Sequence, residues 1–311
     1  MEKLVIEGKH RLSGTVQVGG AKNAALPILF ASVLTAERCR FENVPDLLDI
    51  TTTVGLLRTM GVQAEHVREK HFVEIQAKNL SSLEAPYDLV RTMRASILIL
   101  GPTLARFGKA RVSLPGGCSI GARPVNLHLT ALEKMGAKIV LEGGYINAEC
   151  DRLKGADISF DQVSVGATEN TMMAAVLAKG DTVLRNAACE PEIVDLAQFL
   201  NKCGAKVEGA GTPVITIRGQ DSIGGTTHSI IPDRIEAGTY LIAAAMTGGK
   251  VELPGVSPWL LQSVLDKLKD CGFAVKDSPS GVGLSAIGMK KFTARDVSTL
   301  PFPGFPTDMQ A

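Results

Sequence analysis

A chain of 311 residues with 45% hydrophobic content is long enough for two compact cores, and 33 basic against 32 acidic residues leave a net charge of +1. That balance excludes a whole-molecule field able to gather nucleic acid or an anionic membrane, so any anion site has to be local. Six scattered cysteines without a CxxC pair, scattered histidines and a start lacking a basic-then-apolar pattern predict a reduced, cytoplasmic, metal-free protein without a secretory signal.

The first patterned segment is Gly19-Gly20-Ala21-Lys22-Asn23, before an apolar run from Ala24 to Leu34 too short and interrupted to span a bilayer. A glycine turn at a helix start offers free N–H groups and a partial positive charge, to which Lys22 adds a full one. An anion, most simply a phosphate, fits there; so does a plain turn with a solvated lysine. Next comes Leu57-Arg58-Thr59-Met60-Gly61, a helix end with glycine as its left-handed stop and a strand beyond. The same unit returns at Leu132 to Gly136, Leu200 to Gly204 and Leu268 to Gly272, a period of about 70 residues.

A second recurring unit, a polar turn leading into an Ala-rich apolar helix, occurs near Gly20, Arg91, Gly166 and Pro232. Helices apolar nearly all round are expected to be buried. The glycine-terminated ones are amphipathic. In the last, Leu260, Leu261, Val264, Leu265 and Leu268 share a face, with Ser257 expected as N-cap and Pro258 in the first turn.

Between these units lies Leu114-Pro115-Gly116-Gly117-Cys118-Ser119-Ile120-Gly121-Ala122-Arg123-Pro124. A thiol beside an arginine in a glycine-rich loop has its pKa lowered and becomes usable as an acid or nucleophile; an ordinary loop thiol is equally compatible with the text. Gly116 and Gly121 have P-loop spacing, but Ala122-Arg123 follows in place of Lys-Ser/Thr, which rules that motif out. Near the end, Asp308 in Phe305-Pro306-Thr307-Asp308-Met309 reads locally as a helix cap, or as a general base if a substrate hydroxyl lies in reach; Asp233 in Pro232-Asp233-Arg234 also reads as a cap. Phe305 opens a fifth unit by the internal period, and that spacing predicts that the unit's closing glycine falls after residue 311.

Taken together, GGAKNAALP (19–27), RTMRAS (91–96), LPGGCSIGARPVNLHL (114–129), SVGATEN (164–170), EPEIVD (190–195), PDRIEAGT (232–239) and FPTDMQA (305–311) resemble the bacterial UDP-N-acetylglucosamine 1-carboxyvinyltransferase family. The resemblance implies an α/β fold, a two-domain inside-out α/β barrel built from βαβαββ-type repeats, with the active site in the cleft between domains. One complete three-repeat domain would span residues 22–230; residues 1–21 with 231–311 would form the second, incomplete at its C-terminal side. The same resemblance implies transfer of the enolpyruvyl group of phosphoenolpyruvate to the 3′-hydroxyl of UDP-N-acetylglucosamine, with no cofactor, no metal, no nucleic acid partner and no membrane insertion.

By residue, it implies that Lys22 and Arg123 hold the phosphate of phosphoenolpyruvate and that Asn23 bonds the intermediate. Asp308 would take the sugar hydroxyl proton. Cys118 would protonate the methylene carbon and is the residue open to covalent modification. Arg94 and the run Arg123, Pro124, Val125, Asn126 and Leu127 would hold the nucleotide, with Ser164, Val165 and Gly166 along the uridine and diphosphate side and His128 near the adduct. Position 126 is Asn where the family commonly has Asp, and the family's C-terminal arginines fall beyond residue 311. An inactive or poorly folded chain is therefore expected in isolation; one sharp unfolding transition together with phosphate release would contradict this. Competing readings are a shikimate 3-phosphate enolpyruvyl transferase, a ligand-binding remnant and an RNA 3′-phosphate cyclase-like protein, the last lacking its basic groove and reactive histidine here.

Overall fold

The computed structural model describes residues 3, 5, 7–114, 125–289 and 291–310. After a short strand β1 (Ser13–Thr15), the first repeat runs α1 (Lys22–Ala31), β2 (Arg38–Glu42), α2 (Leu48–Thr59), β3 (Gln63–Val67) and β4 (Phe72–Gln76). The second runs β5 (Glu84–Ala85), α3 (Tyr87–Val90), α4 (Leu100–Phe107), β6 (Lys109–Ser113), α5 (Asn126–Lys134), β7 (Lys138–Glu142) and β8 (Tyr145–Glu149). The third is β9 (Asp157–Ser159), α6 (Val165–Ala175), β10 (Asp181–Arg185), α7 (Pro191–Lys202), β11 (Lys206–Glu208) and β12 (Val214–Arg218). A fourth follows as β13 (Thr227–Ser229), α8 (Arg234–Met246), β14 (Lys250–Pro254), α9 (Gln262–Asp270), β15 (Ala274–Ser278) and β16 (Gly281–Ser285).

Each repeat contributes one four-stranded sheet with a parallel pair and two antiparallel pairs, in the orders β13-β2-β4-β3, β5-β6-β8-β7, β11-β12-β10-β9 and β1-β14-β16-β15. The chain divides into two compact units, residues 20–231 and residues 1–19 with 232–311. The short parallel strand explains the division. The first repeat lacks a leading strand of its own in its sheet, and β13, the leading strand of the fourth repeat, fills that place beside β2. β1 pairs with β14 instead, within the other unit.

The four predicted glycine stops are four copies of one capping motif. Gly61, Gly136, Gly204 and Gly272 have φ of +90°, +92°, +99° and +95°. In each, the glycine N–H donates three residues back and the following N–H donates five residues back, as in Val62 to Leu57 at 3.0 Å and Phe273 to Leu268 at 3.1 Å. The orphan carbonyls of the helix end are thereby satisfied, and the chain is turned directly into β3, β7, β11 and β15.

Burial of the apolar helices follows expectation in the larger unit. Ala24 to Ala31 of α1 and Ala167 to Ala175 of α6 are buried, and a Cβ at Gly101 of α4 would overlap the Asn170 carbonyl, so α4 and α6 pack backbone to backbone. The helix expected after Arg91 is split, with a 3₁₀ turn over Arg94–Ile99 before α4. Pro102 has no N–H to donate to Leu98, which forbids a continuous α ladder there. α8 departs more: only Ala237, Gly238, Leu241 and Ala244 are buried, while Tyr240 and Met246 are exposed. Within its unit, α8 has one sheet and short 3₁₀ turns to pack on, and these cover a single face. In the last amphipathic element Leu260, Leu261, Val264, Leu265 and Leu268 are buried as predicted. Ser257, however, makes no side-chain cap bond, because its helix opens as a 3₁₀ turn over Pro258–Leu261.

Candidate active site

Asp233 caps α8, its Oδ1 accepting from the N–H groups of Ile235 at 2.8 Å and Glu236 at 3.2 Å. Asp308 does not cap. It is the exposed middle residue of a 3₁₀ turn, Thr307–Met309, entered from Pro306, and the turn is anchored by Met309 packing on Gly238. Its carboxylate is thus on the surface, available to solvent or a ligand, and lies in the smaller unit.

The remaining described candidates belong to the larger unit and sit at helix starts. Lys22 is the first residue of α1, whose N-cap Ala21 supplies no side-chain bond to the helix start. Its Nζ lies 3.0 Å from the Asp49 carboxylate in the first turn of α2, both side chains about a third exposed. Asn23 beside it is exposed. An ammonium at the positive end of a helix favours a resident anion, and in this structure Asp49 is that anion.

The second group surrounds the start of α6. Ser164 is its N-cap, with Oγ accepting from Ala167 N–H at 3.3 Å; the hydroxyl proton is left to donate elsewhere. His128, in α5, is 5% exposed and packs against Gly166, where a Cβ would come 3.3 Å from Cε1 and 3.5 Å from Nε2 of the ring. A side chain at this position would press on the ring, which would have to give by a few tenths of an ångström. Burial, and then the nearby Arg94 charge, pull the His128 pKa down to about 4, so the ring is neutral near neutral pH. Arg94 opens the 3₁₀ turn before α4 and is half-buried. Val125, Asn126 and Leu127 form the start of α5, Asn126 exposed and the other two half-buried. Val165 is half-buried at the first position of α6. Cys118, Arg123 and Pro124 lie outside the described residues.

The structure therefore brings Arg94, His128 and Gly166 together and places Lys22 beside Asp49. Two buried side chains near this group did not figure among the sequence candidates. Asn170 is hydrogen-bonded to the His128 ring at 3.0 Å. Glu169 is fully buried and its pKa is raised well above the ordinary value, by burial and then by the carboxylates of Glu192 and Glu190. The signal was present in SVGATEN: consecutive polar residues inside a helix otherwise apolar all round are informative. Asp49 carried no such signal, since a first-turn acid is ordinary helix chemistry.

No group of three or more His, Cys, Asp or Glu able to hold a metal ion occurs among the described residues, and no described helix is long and apolar enough to cross a membrane. Depressions of ≈ 620 Å³ beside Thr35, Arg106 and Arg152, and of ≈ 590 Å³ against Glu84, Arg111 and Lys138, contain none of the candidate residues.

The fold is that of the enolpyruvyl transferases. NikO of Streptomyces tendae, a solved enolpyruvyl transferase, superposes with a TM-score of 0.85 over 98% of this chain and 72% of its own, at 23% identity. The EPSP synthase of Acinetobacter baumannii gives 0.69 over 89% of this chain and 65% of its own, at 20% identity. The family model described as EPSP synthase (3-phosphoshikimate 1-carboxyvinyltransferase) matches residues 6–311. At the sequence level, proteins named UDP-N-acetylglucosamine 1-carboxyvinyltransferase are 55% identical in Pseudoalteromonas atlantica and 57% identical in Nitratidesulfovibrio vulgaris, each over all of this chain and 74% of the relative. This chain belongs to the UDP-N-acetylglucosamine 1-carboxyvinyltransferase family, within the wider enolpyruvyl transferase family.

Proposed function

We propose that the protein transfers the enolpyruvyl group of phosphoenolpyruvate to the 3′-hydroxyl of UDP-N-acetylglucosamine and releases phosphate. The observation that carries this reading is identity of 54–57% along the whole chain to relatives of that name, against 20% to an EPSP synthase. Addition and elimination balance the reaction. The sugar oxygen bonds to C2 of phosphoenolpyruvate as C3 gains a proton; C3 then loses a proton and the C2–O bond to phosphate breaks.

In this scheme Lys22, at the open start of α1, meets the phosphate and exchanges its Asp49 partner for it, with Arg123 as the planar second donor. Asn23, exposed beside Lys22, bonds the tetrahedral intermediate. Asp308 accepts the hydroxyl proton and Cys118 delivers one to C3. The nucleotide lies along Arg94, the Arg123–His128 run and the Ser164–Gly166 helix start, where first-turn N–H groups suit a diphosphate. No cofactor enters; phosphoenolpyruvate is a substrate, and a covalent adduct on Cys118 is a by-path. The product would serve peptidoglycan synthesis in the cytoplasm.

The test is phosphate release from phosphoenolpyruvate in the presence of UDP-N-acetylglucosamine or of shikimate 3-phosphate. In the full-length protein, release with the sugar nucleotide and not with shikimate 3-phosphate is expected, lost in Cys118→Ala and retained in Cys118→Asp, with mass addition by fosfomycin to Cys118 in the wild type and none in Cys118→Asp. Release with shikimate 3-phosphate alone would overturn the reading, and sugar-nucleotide binding without any release would make the chain a ligand-binding protein only.

A further inference from the structure

The polar contacts inside α6 determine more than packing. Asn170 is 1% exposed and lies where α6 meets α4, the preceding 3₁₀ turn and α5. Its Oδ1 accepts from the Gly101 N–H at 2.7 Å, and its Nδ2 is 3.3 Å from the Ile97 carbonyl and 3.0 Å from His128 Nδ1. The two backbone groups have fixed polarity: an N–H only donates and a carbonyl only accepts. They settle which end of the amide is oxygen. With the NH₂ end facing the imidazole, Nδ1 has to accept, which leaves the ring proton on Nε2. The opposite tautomer would set two N–H groups against each other in a buried site.

Nε2 is the ring nitrogen near Gly166, whose missing Cβ lets the ring pack closely on the start of α6. An imidazolium would require both nitrogens to donate. Asn170 Nδ2 has no lone pair to receive the second proton, and the Arg94 charge opposes it.

We propose that Asn170 is a positioning residue that fixes His128 with its proton on Nε2, making the ring a neutral, pre-oriented hydrogen-bond donor at the start of α6 for an oxygen of a nucleoside diphosphate sugar. The ligand class rests on the function proposed above; the tautomer does not. The family resemblance implies for His128 only a place near the adduct. The amide network gives it a direction, a charge state and a dependence on Asn170.

Long-range ¹H–¹⁵N correlation of the histidine rings in the full chain reads the tautomer without any substrate. His128 is expected to show an unprotonated Nδ1 and a protonated Nε2 from about pH 8 down to about pH 5. A proton on Nδ1, or on both nitrogens at about pH 6, would overturn the inference. In Asn170→Asp the carboxylate can only accept from the ring, so the proton is expected to move to Nδ1, whereas a residue that merely packs would leave the tautomer unchanged. With turnover measured, the same variant should raise the KM for UDP-N-acetylglucosamine about fivefold to tenfold and leave the KM for phosphoenolpyruvate within about twofold, the loss of one directed hydrogen bond. Equal effects on both substrates, or on neither, would also overturn it. If the wild-type ring carries its proton on Nε2 but no sugar nucleotide binds or reacts, the proposed function fails and the tautomer assignment stands.

Discussion

Arg106 illustrates how a single side chain can hold this fold without touching its chemistry. Its Nη1 donates toward the carbonyls of Val33 at 2.8 Å, Thr35 at 2.9 Å and Ala77 at 2.6 Å, and Nη2 toward Lys78 at 3.4 Å. Val33 and Thr35 mark the C-terminal end of the first buried helical segment, where carbonyls point away without helical partners and a cation is favoured. Replacing Arg106 by Met would leave these groups without their donor, at a cost of about 3 kcal/mol judged from charge-assisted hydrogen bonds. Arg106→Lys, a point charge without the fork, is expected to recover roughly half. Urea denaturation of the two variants beside the wild type measures both, and equal stability of all three would show the carbonyls to be satisfied by water instead. An arginine near a helix end cannot be assigned this task from sequence, because its acceptors come from segments tens of residues away.

Among whole elements, the glycine-stopped helices were legible because one backbone conformation admits essentially one residue type. Gly204 and Gly136 have open space where a Cβ would go, so Ala there meets only the left-handed backbone, costing roughly 1–2 kcal/mol. At Gly61 a Cβ would also approach Ser81 Oγ to 2.5 Å and Ser81 N to 2.6 Å, so Gly61→Ala should cost clearly more than Gly204→Ala. Denaturation midpoints of the pair decide this, and a Gly61→Ala no worse than Gly204→Ala would mean that Ser81 gives way. The same logic explains what stayed hidden. Burial of α1 and α6 could be read from composition because other helices enclose them, whereas α8 has similar text but only one sheet beside it. Apolar composition states what a helix can bury, and its neighbours decide how much it does. At the site, Lys22 and Gly166 were visible as residue types at helix starts; Asn170 and Asp49 act through partners distant in the chain, and no local pattern records them.

For the molecule as a whole, two buried groups in the larger unit pull stability in opposite directions with pH. His128 has its folded pKa depressed from 6.5 to about 4, so its contribution is complete above about pH 6.5 and is lost as pH falls toward 4, where the unfolded chain takes up a proton the folded one refuses. Glu169 is the reverse. Its folded pKa is raised above 4.5, so stability is complete below that pH and declines as pH rises, because the unfolded chain releases a proton that burial and the Glu192 and Glu190 carboxylates keep on the folded one. Glutamine matches the neutral acid in shape and has no proton to lose. The advantage of Glu169→Gln over wild type is therefore expected to be small near pH 4.5 and to grow by about 1.4 kcal/mol per pH unit above it, until the folded pKa of Glu169 is reached. Urea denaturation followed by far-ultraviolet circular dichroism at a series of pH values gives this difference directly. A constant difference across the series would mean that Glu169 is ionised in the folded protein, with a counter-charge in place of a proton.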